Sequence, residues 1–85
     1  MKQTDTHQNI VNALEFLSEL EKDTTLPKNI QQKISQSINN LNSDEEAKIK
    51  ASRVIQELIE LCEDANIPSF TRTQLYNIVS LLEVV

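Results

Sequence analysis

Residues 23–30 read DTTLPKNI, and 41 positions further on residues 64–71 read DANIPSFT. Each stretch runs from an aspartate through two small or polar residues to an aliphatic side chain and a proline. Proline suits the first position of a helix, where its missing N–H has no partner to lose and its fixed φ is already helical. Pro27 and Pro68 are therefore expected to open helices. What flanks the two stretches recurs as well: Leu17 meets Leu58, Glu19 meets Glu60, Leu20 meets Leu61 and Leu41 meets Leu82 at the same offset. Ile10/Ala51, Ala13/Val54, Leu14/Ile55, Leu26/Ile67, Ile34/Leu75 and Ile38/Val79 keep their apolar character. The chain reads as one helical hairpin written twice.

Apolar residues three and four apart define the helices themselves. Ile10, Leu14, Leu17 and Leu20 form one stripe; Ile30, Ile34, Ile38 and Leu41 a second. Ala51, Val54, Ile55, Leu58 and Leu61 form a third, and Leu75, Val79 and Leu82 a fourth. Such spacing gives each helix one buried face. A lone hairpin cannot cover that face, whereas two packed together bury both. The expected fold is all-α, an up-and-down four-helix bundle in one domain over residues 1–85, with hairpin one spanning about 6–42 and hairpin two about 43–85. Ser43 with Glu46 has the pattern of a capping box before the third helix, where Asp44 and Glu45 complement its positive end. With no glycine in the chain, Asn39, Asn40, Asn42 and Asn66 are the expected left-handed residues at helix ends.

Composition excludes several functions. Glycine is absent, so phosphate-cradling loops and dinucleotide turns have no residue to supply their positive φ. One His and one Cys leave too few nitrogen and sulfur ligands for a zinc site, and the Glu-x-x-His pairs of di-iron bundles are missing. No metal and no cofactor are expected. The net charge of −5 and the lack of a basic stripe argue against direct nucleic-acid binding. No apolar run approaches the roughly 18 residues needed to cross a bilayer, and the start MKQTDTHQNI lacks a signal peptide's apolar stretch, so a cytoplasmic protein is expected. Cys62 falls on the buried side of its helix as a small hydrophobe, and His7 near a helix start as a solvated residue.

Positions that differ between the halves point beyond folding. Tyr76, Ile78 and Leu81 stand where the first half has Ser35, Ser37 and Asn40. With Val84 and Val85 they make helix four more apolar than one core stripe requires. Tyr76, Ile78, Leu81 and Val85 are thus candidate partner-binding residues, for a second copy or another protein, unless helix four simply lies more centrally in its bundle. A second candidate lies at the turns. If the hairpins pack in parallel, Asp23, Asn29, Asp64 and Arg72 meet at one end as a polar cluster, either anchoring the loops or forming a small polar site. No nucleophile or suitable base accompanies them, so no catalytic residue is expected. The leading expectation is a noncatalytic interaction or self-association module; the alternative is a small-molecule-binding or weakly catalytic protein with its polar site at the turn end.

At DTTLPKNI and IPSFTRTQLYNIVSLLE the sequence resembles UPF0147, an uncharacterised protein family of short archaeal chains. Asp23, Pro27, Asn29 and Ile30 carry the resemblance, then Pro68, Arg72, Thr73, Asn77, Ser80, Leu82 and Glu83. The chain departs from the family at Tyr76, where tryptophan is usual, and at Lys28, where arginine is. The resemblance implies a four-helix bundle from an archaeal cytoplasm, of the ordinary or the mirror hand, and brings no activity, cofactor or substrate with it.

Overall fold

The computed structural model describes residues 6–85. Four helices follow one another, α1 (Thr6–Glu21), α2 (Lys28–Leu41), α3 (Ala47–Cys62) and α4 (Ser69–Glu83), with no strand among the described residues. Each helix packs on the next, and α4 closes the ring against α1. Short connections at 22–27, 42–46 and 63–68 reverse the chain between touching neighbours, so the first and third turns share one end of the bundle.

The repeat extends to backbone detail. α1 and α3 start and stop 41 residues apart, and α2 and α4 start 41 apart. Buried residues pair across the same offset: Ile10/Ala51, Ala13/Val54, Leu17/Leu58, Leu20/Leu61, Leu26/Ile67, Ile30/Thr71, Ile34/Leu75, Ser37/Ile78 and Leu41/Leu82. Among the described buried residues only Cys62 and Val79 lack a buried mate. Each large aliphatic member contributes about 1.5–3 kcal/mol by leaving water, which is what holds helices of this length in place.

Four helix boundaries differ from the sequence expectation. Pro27 and Pro68 sit just before their helices, with φ/ψ of −57°/149° and −61°/150°, not at the first helical position. Their carbonyls accept the first helical bonds, from Gln31 N at 3.0 Å and Arg72 N at 3.0 Å, so proline's missing N–H falls outside the helix altogether. The capping box does not form. Glu46 is the residue before α3, its carbonyl accepts from Ile49 N and Lys50 N at 3.0 Å each, and the Ser43 hydroxyl accepts weakly from Glu45 N at 3.4 Å. Ser43 spends its oxygen on its own turn, a local bond that competes with capping. No described residue has positive φ; Asn42 ends α2 at φ −90°, ψ 2°, and its N–H bonds back to Ile38 and Asn39 carbonyls. The turns reverse the chain without any left-handed residue, through extended residues just before each of α2, α3 and α4.

Candidate functional site

The expected polar cluster at the turn end resolves into two separate copies of one device. Asp23 Oδ1 accepts from Thr25 N at 2.9 Å and from the Thr25 hydroxyl at 2.5 Å; Asp64 Oδ1 accepts from Asn66 N at 2.8 Å. Threonine's two bonds hold the Asp23 carboxyl below its ordinary value, the hydroxyl contributing more than the amide. Gln31 Nε2 donates to the Glu21 and Asp23 carbonyls at 3.3 and 2.6 Å. Its mate Arg72 donates to the corresponding carbonyls, Cys62 at 2.9 Å and Asp64 at 3.3 Å, and also to Ile67 O at 3.4 Å. One side chain per hairpin thus satisfies carbonyls that the ends of α1 and α3 leave open.

Of the two expected readings these bonds fit the anchoring of the loops, though not through an ion pair. Arg72 reaches backbone carbonyls and not a carboxylate, and no hydrogen bond or ion pair among the described residues joins Asp23 to Asp64 or to Arg72. Asn29 points out at the surface. The aspartates and arginine fasten turns, each within its own hairpin.

The halves part company along the seams. Between α2 and α3, the buried Ser37 hydroxyl donates to Glu57 Oε1 at 3.0 Å, and Asn40 Nδ2 donates to Glu57 Oε2 at 2.7 Å. Between α1 and α4, the same three positions hold Ile78, Phe16 and Leu81. A carboxylate with both oxygens occupied has become three apolar side chains. The hairpin interiors repeat the contrast: Ser35 donates to the Glu21 carboxylate between α1 and α2, whereas their mates Tyr76 and Cys62 meet between α3 and α4. Burial raises the Cys62 thiol above its usual value, with the Arg72 charge and the Tyr76 hydrogen bond pulling the other way. Both flanks of α2 are thus closed by hydrogen-bonded carboxylates, whereas α4 meets α1 through Ile78, Leu81 and Phe16 and meets α3 with no carboxylate between them.

Ile78 is 1% exposed and belongs to the core, so its expected role in contacting a partner is corrected. It fills the slot that Ser37 fills opposite, since a position facing the bundle axis in one repeat faces it in the other. Leu81 and Val85 are partly buried against the core, and Tyr76 is half exposed. Sequence reasoning missed Phe16 at 53% exposure and Phe70 at 73%. The signal for Phe16 was present: it faces Glu57 in the alignment of halves, a mismatch as sharp as those on helix four.

Two grooves lie on the seams, and they too are mates. One of about 110 Å³ is lined by Phe16, Glu19, Leu20, Gln74 and Asn77; the other, of about 200 Å³, by Glu57, Glu60, Lys33 and Gln36. Both are smaller than the roughly 300–1,000 Å³ of small-molecule sites. The second offers two carboxylates and an ammonium to water, the first an aromatic ring, two amides and the single carboxylate of Glu19. No helix among the described residues is long and apolar enough to cross a membrane, and no group of three or more His, Cys, Asp or Glu among them is placed to hold a metal ion.

The architecture and its surface define a small all-helical bundle whose α4 presents an uncharged face, with Phe70 and Tyr76 exposed among the polar side chains of Thr73, Asn77 and Ser80. The model of the Uncharacterised protein family UPF0147 matches residues 1–85, and the chain belongs to that family. It is 38% identical over 78 residues to the UPF0147 protein of Thermoplasma volcanium, covering 89% of this chain and 88% of the relative. A second archaeal relative, the UPF0147 protein of Sulfurisphaera tokodaii, is 34% identical over 82 residues, covering 95% and 92%. The crystal structure of the unknown-function protein MMP1188 is similar along the whole chain, with a TM-score of 0.91, 34% identity, and coverage of 100% of this chain and 98% of that one. The resemblance in fold and family expected from the sequence is borne out.

Proposed function

We propose that this chain is a noncatalytic protein-interaction module of the cytoplasm, docking through the outer face of α4 and the adjoining edge of α1. One observation carries the reading: from Thr73 to Leu82 there is no charged residue in a chain that is 25% charged, and Phe16, Phe70, Tyr76 and Val84 lie at least half exposed on or beside that helix. Interface cores are depleted in charge and enriched in aromatic residues in this way. The groups with chemical potential are otherwise engaged: the aspartates in their turns, Arg72 on carbonyls and Cys62 in the core.

A photo-crosslinking amino acid at position 77, on the α4 face, tests the reading in cells that make the protein natively. The expected result is a discrete protein adduct from position 77 and none from position 36, its mate on the α2 side. Equal labelling from both positions, or none from 77, overturns it.

A further inference from the structure

We infer that the occupant of this face is a second copy of the same chain, joined by a two-fold axis crossing α4 near Asn77; this rests on the interaction reading and names its partner. Phe70, Gln74, Asn77 and Leu81 of α4 and the C-cap residue Val84 follow one another at alternating steps of four and three, the spacing of a helix-pairing seam. Phe16 borders that seam, lining one groove with Gln74 and Asn77.

The seam complements itself. Asn77 lies midway between Phe70 and Val84, which are 73% and 55% exposed, so an antiparallel pair centred on Asn77 sets Phe70 of each copy over Val84 of the other. At the centre, each carboxamide carries both donors and an acceptor, so two copies of Asn77 satisfy one another without a complementary residue type. The seam residues carry no charge, which matters because each copy brings a net −5. Like charges facing one another oppose association, and a strongly basic partner would call for carboxylates along the seam. Glu19 alone lines the groove with charge, at its α1 edge.

Area sets the strength. α4 is roughly 22 Å long at about 1.5 Å per residue, and a patch two helices wide then covers on the order of 450 Å² per copy. Twice that lies at the low end of specific interfaces, where association is reversible and micromolar or weaker. The dimer forms and dissociates with concentration.

Sedimentation velocity on the full chain from about 10 µM to about 1 mM reads this directly. Wild type is expected to pass from monomer to dimer over that range. Asn77→Asp places two like charges at the axis and is expected to weaken dimerisation at least about tenfold with helix content unchanged, while Gln36→Glu, at the mate position, leaves it as it was. Val84→Glu is the second variant, expected to act like Asn77→Asp, and decides the matter if Asn77→Asp loses helix. A wild type that stays monomeric at the highest concentration overturns the inference, as does equal weakening by Gln36→Glu or undiminished dimerisation of the seam variants. A monomeric wild type that still crosslinks to a different protein from position 77 sinks the self-pairing alone and leaves the interaction reading standing.

Discussion

α2 and α4 occupy equivalent places in two copies of one hairpin, yet one is sealed at its edges and the other is not. Along α2, Ser35 bonds Glu21, and Ser37 and Asn40 share Glu57, so each seam ends in a hydrogen-bonded group that water can wet at no cost. Along α4, Tyr76, Ile78 and Leu81 take those places, and Phe16 stands half exposed where Glu57 would be. Both arrangements close the same core. The comparison teaches that folding leaves the chemistry of a seam free to vary once the inward positions are filled, so what the seam displays outward is available for binding.

The largest effect expected from breaking this comparison is at Ile78. Ile78→Asp buries a carboxylate with no partner and is expected to cost more than about 4 kcal/mol, unfolding the chain and not merely separating subunits, as circular dichroism against temperature will show. Glu57→Ala comes next. It leaves the buried Ser37 hydroxyl without its acceptor, for a loss of about 1–3 kcal/mol in urea denaturation. The turn devices then rank by charge: Arg72→Ala removes charge-assisted bonds to three carbonyls, about 1.5–3 kcal/mol, and Gln31→Ala removes the neutral equivalent, about 0.5–1.5 kcal/mol. A Gln31 variant as damaging as the Arg72 variant contradicts the ranking.

Smaller still is the pH dependence of the first turn. Asp23 is held below its ordinary value by Thr25, so its contribution to stability is present above the unfolded carboxyl value of roughly 3.9 and is lost as pH falls through the lower folded value. Thr25→Ala is expected to move the Asp23 midpoint back up toward the ordinary value in a carboxyl-carbon NMR titration. An unmoved midpoint removes the hydroxyl as the cause. Smallest is Phe16→Ser, expected to change stability by no more than about 0.5 kcal/mol, since the ring is already half in water. A larger loss places Phe16 in the core and not on its edge.

The helices, their order and the doubled hairpin were legible because apolar spacing reports which residues face inward, and the offset of 41 recurs at the start of both helix pairs. Capping was less legible. Ser43 and Pro27 have side-chain chemistry that fits more than one position at a helix start, and the choice between them turns on a backbone ψ that composition does not encode. The surface of α4 was half legible: surplus apolar residues stood out, but Ile78 inside and Phe16 outside could be separated only by knowing which way the seams turn. The turn cluster misled because Asp and Arg at one end of a bundle invite an ion pair, whereas the open carbonyls at the ends of α1 and α3 are nearer claimants.

The most direct test transplants one seam onto the other. Phe16→Glu, Ile78→Ser and Leu81→Asn together write the α2–α3 chemistry into the α1–α4 seam, and sedimentation velocity of the triple variant reads both shape and association. A compact monomer at every concentration is the predicted result. An expanded chain would show that the seams are not interchangeable in folding, and a species that still pairs like the wild type would show that the apolar seam is not the contact.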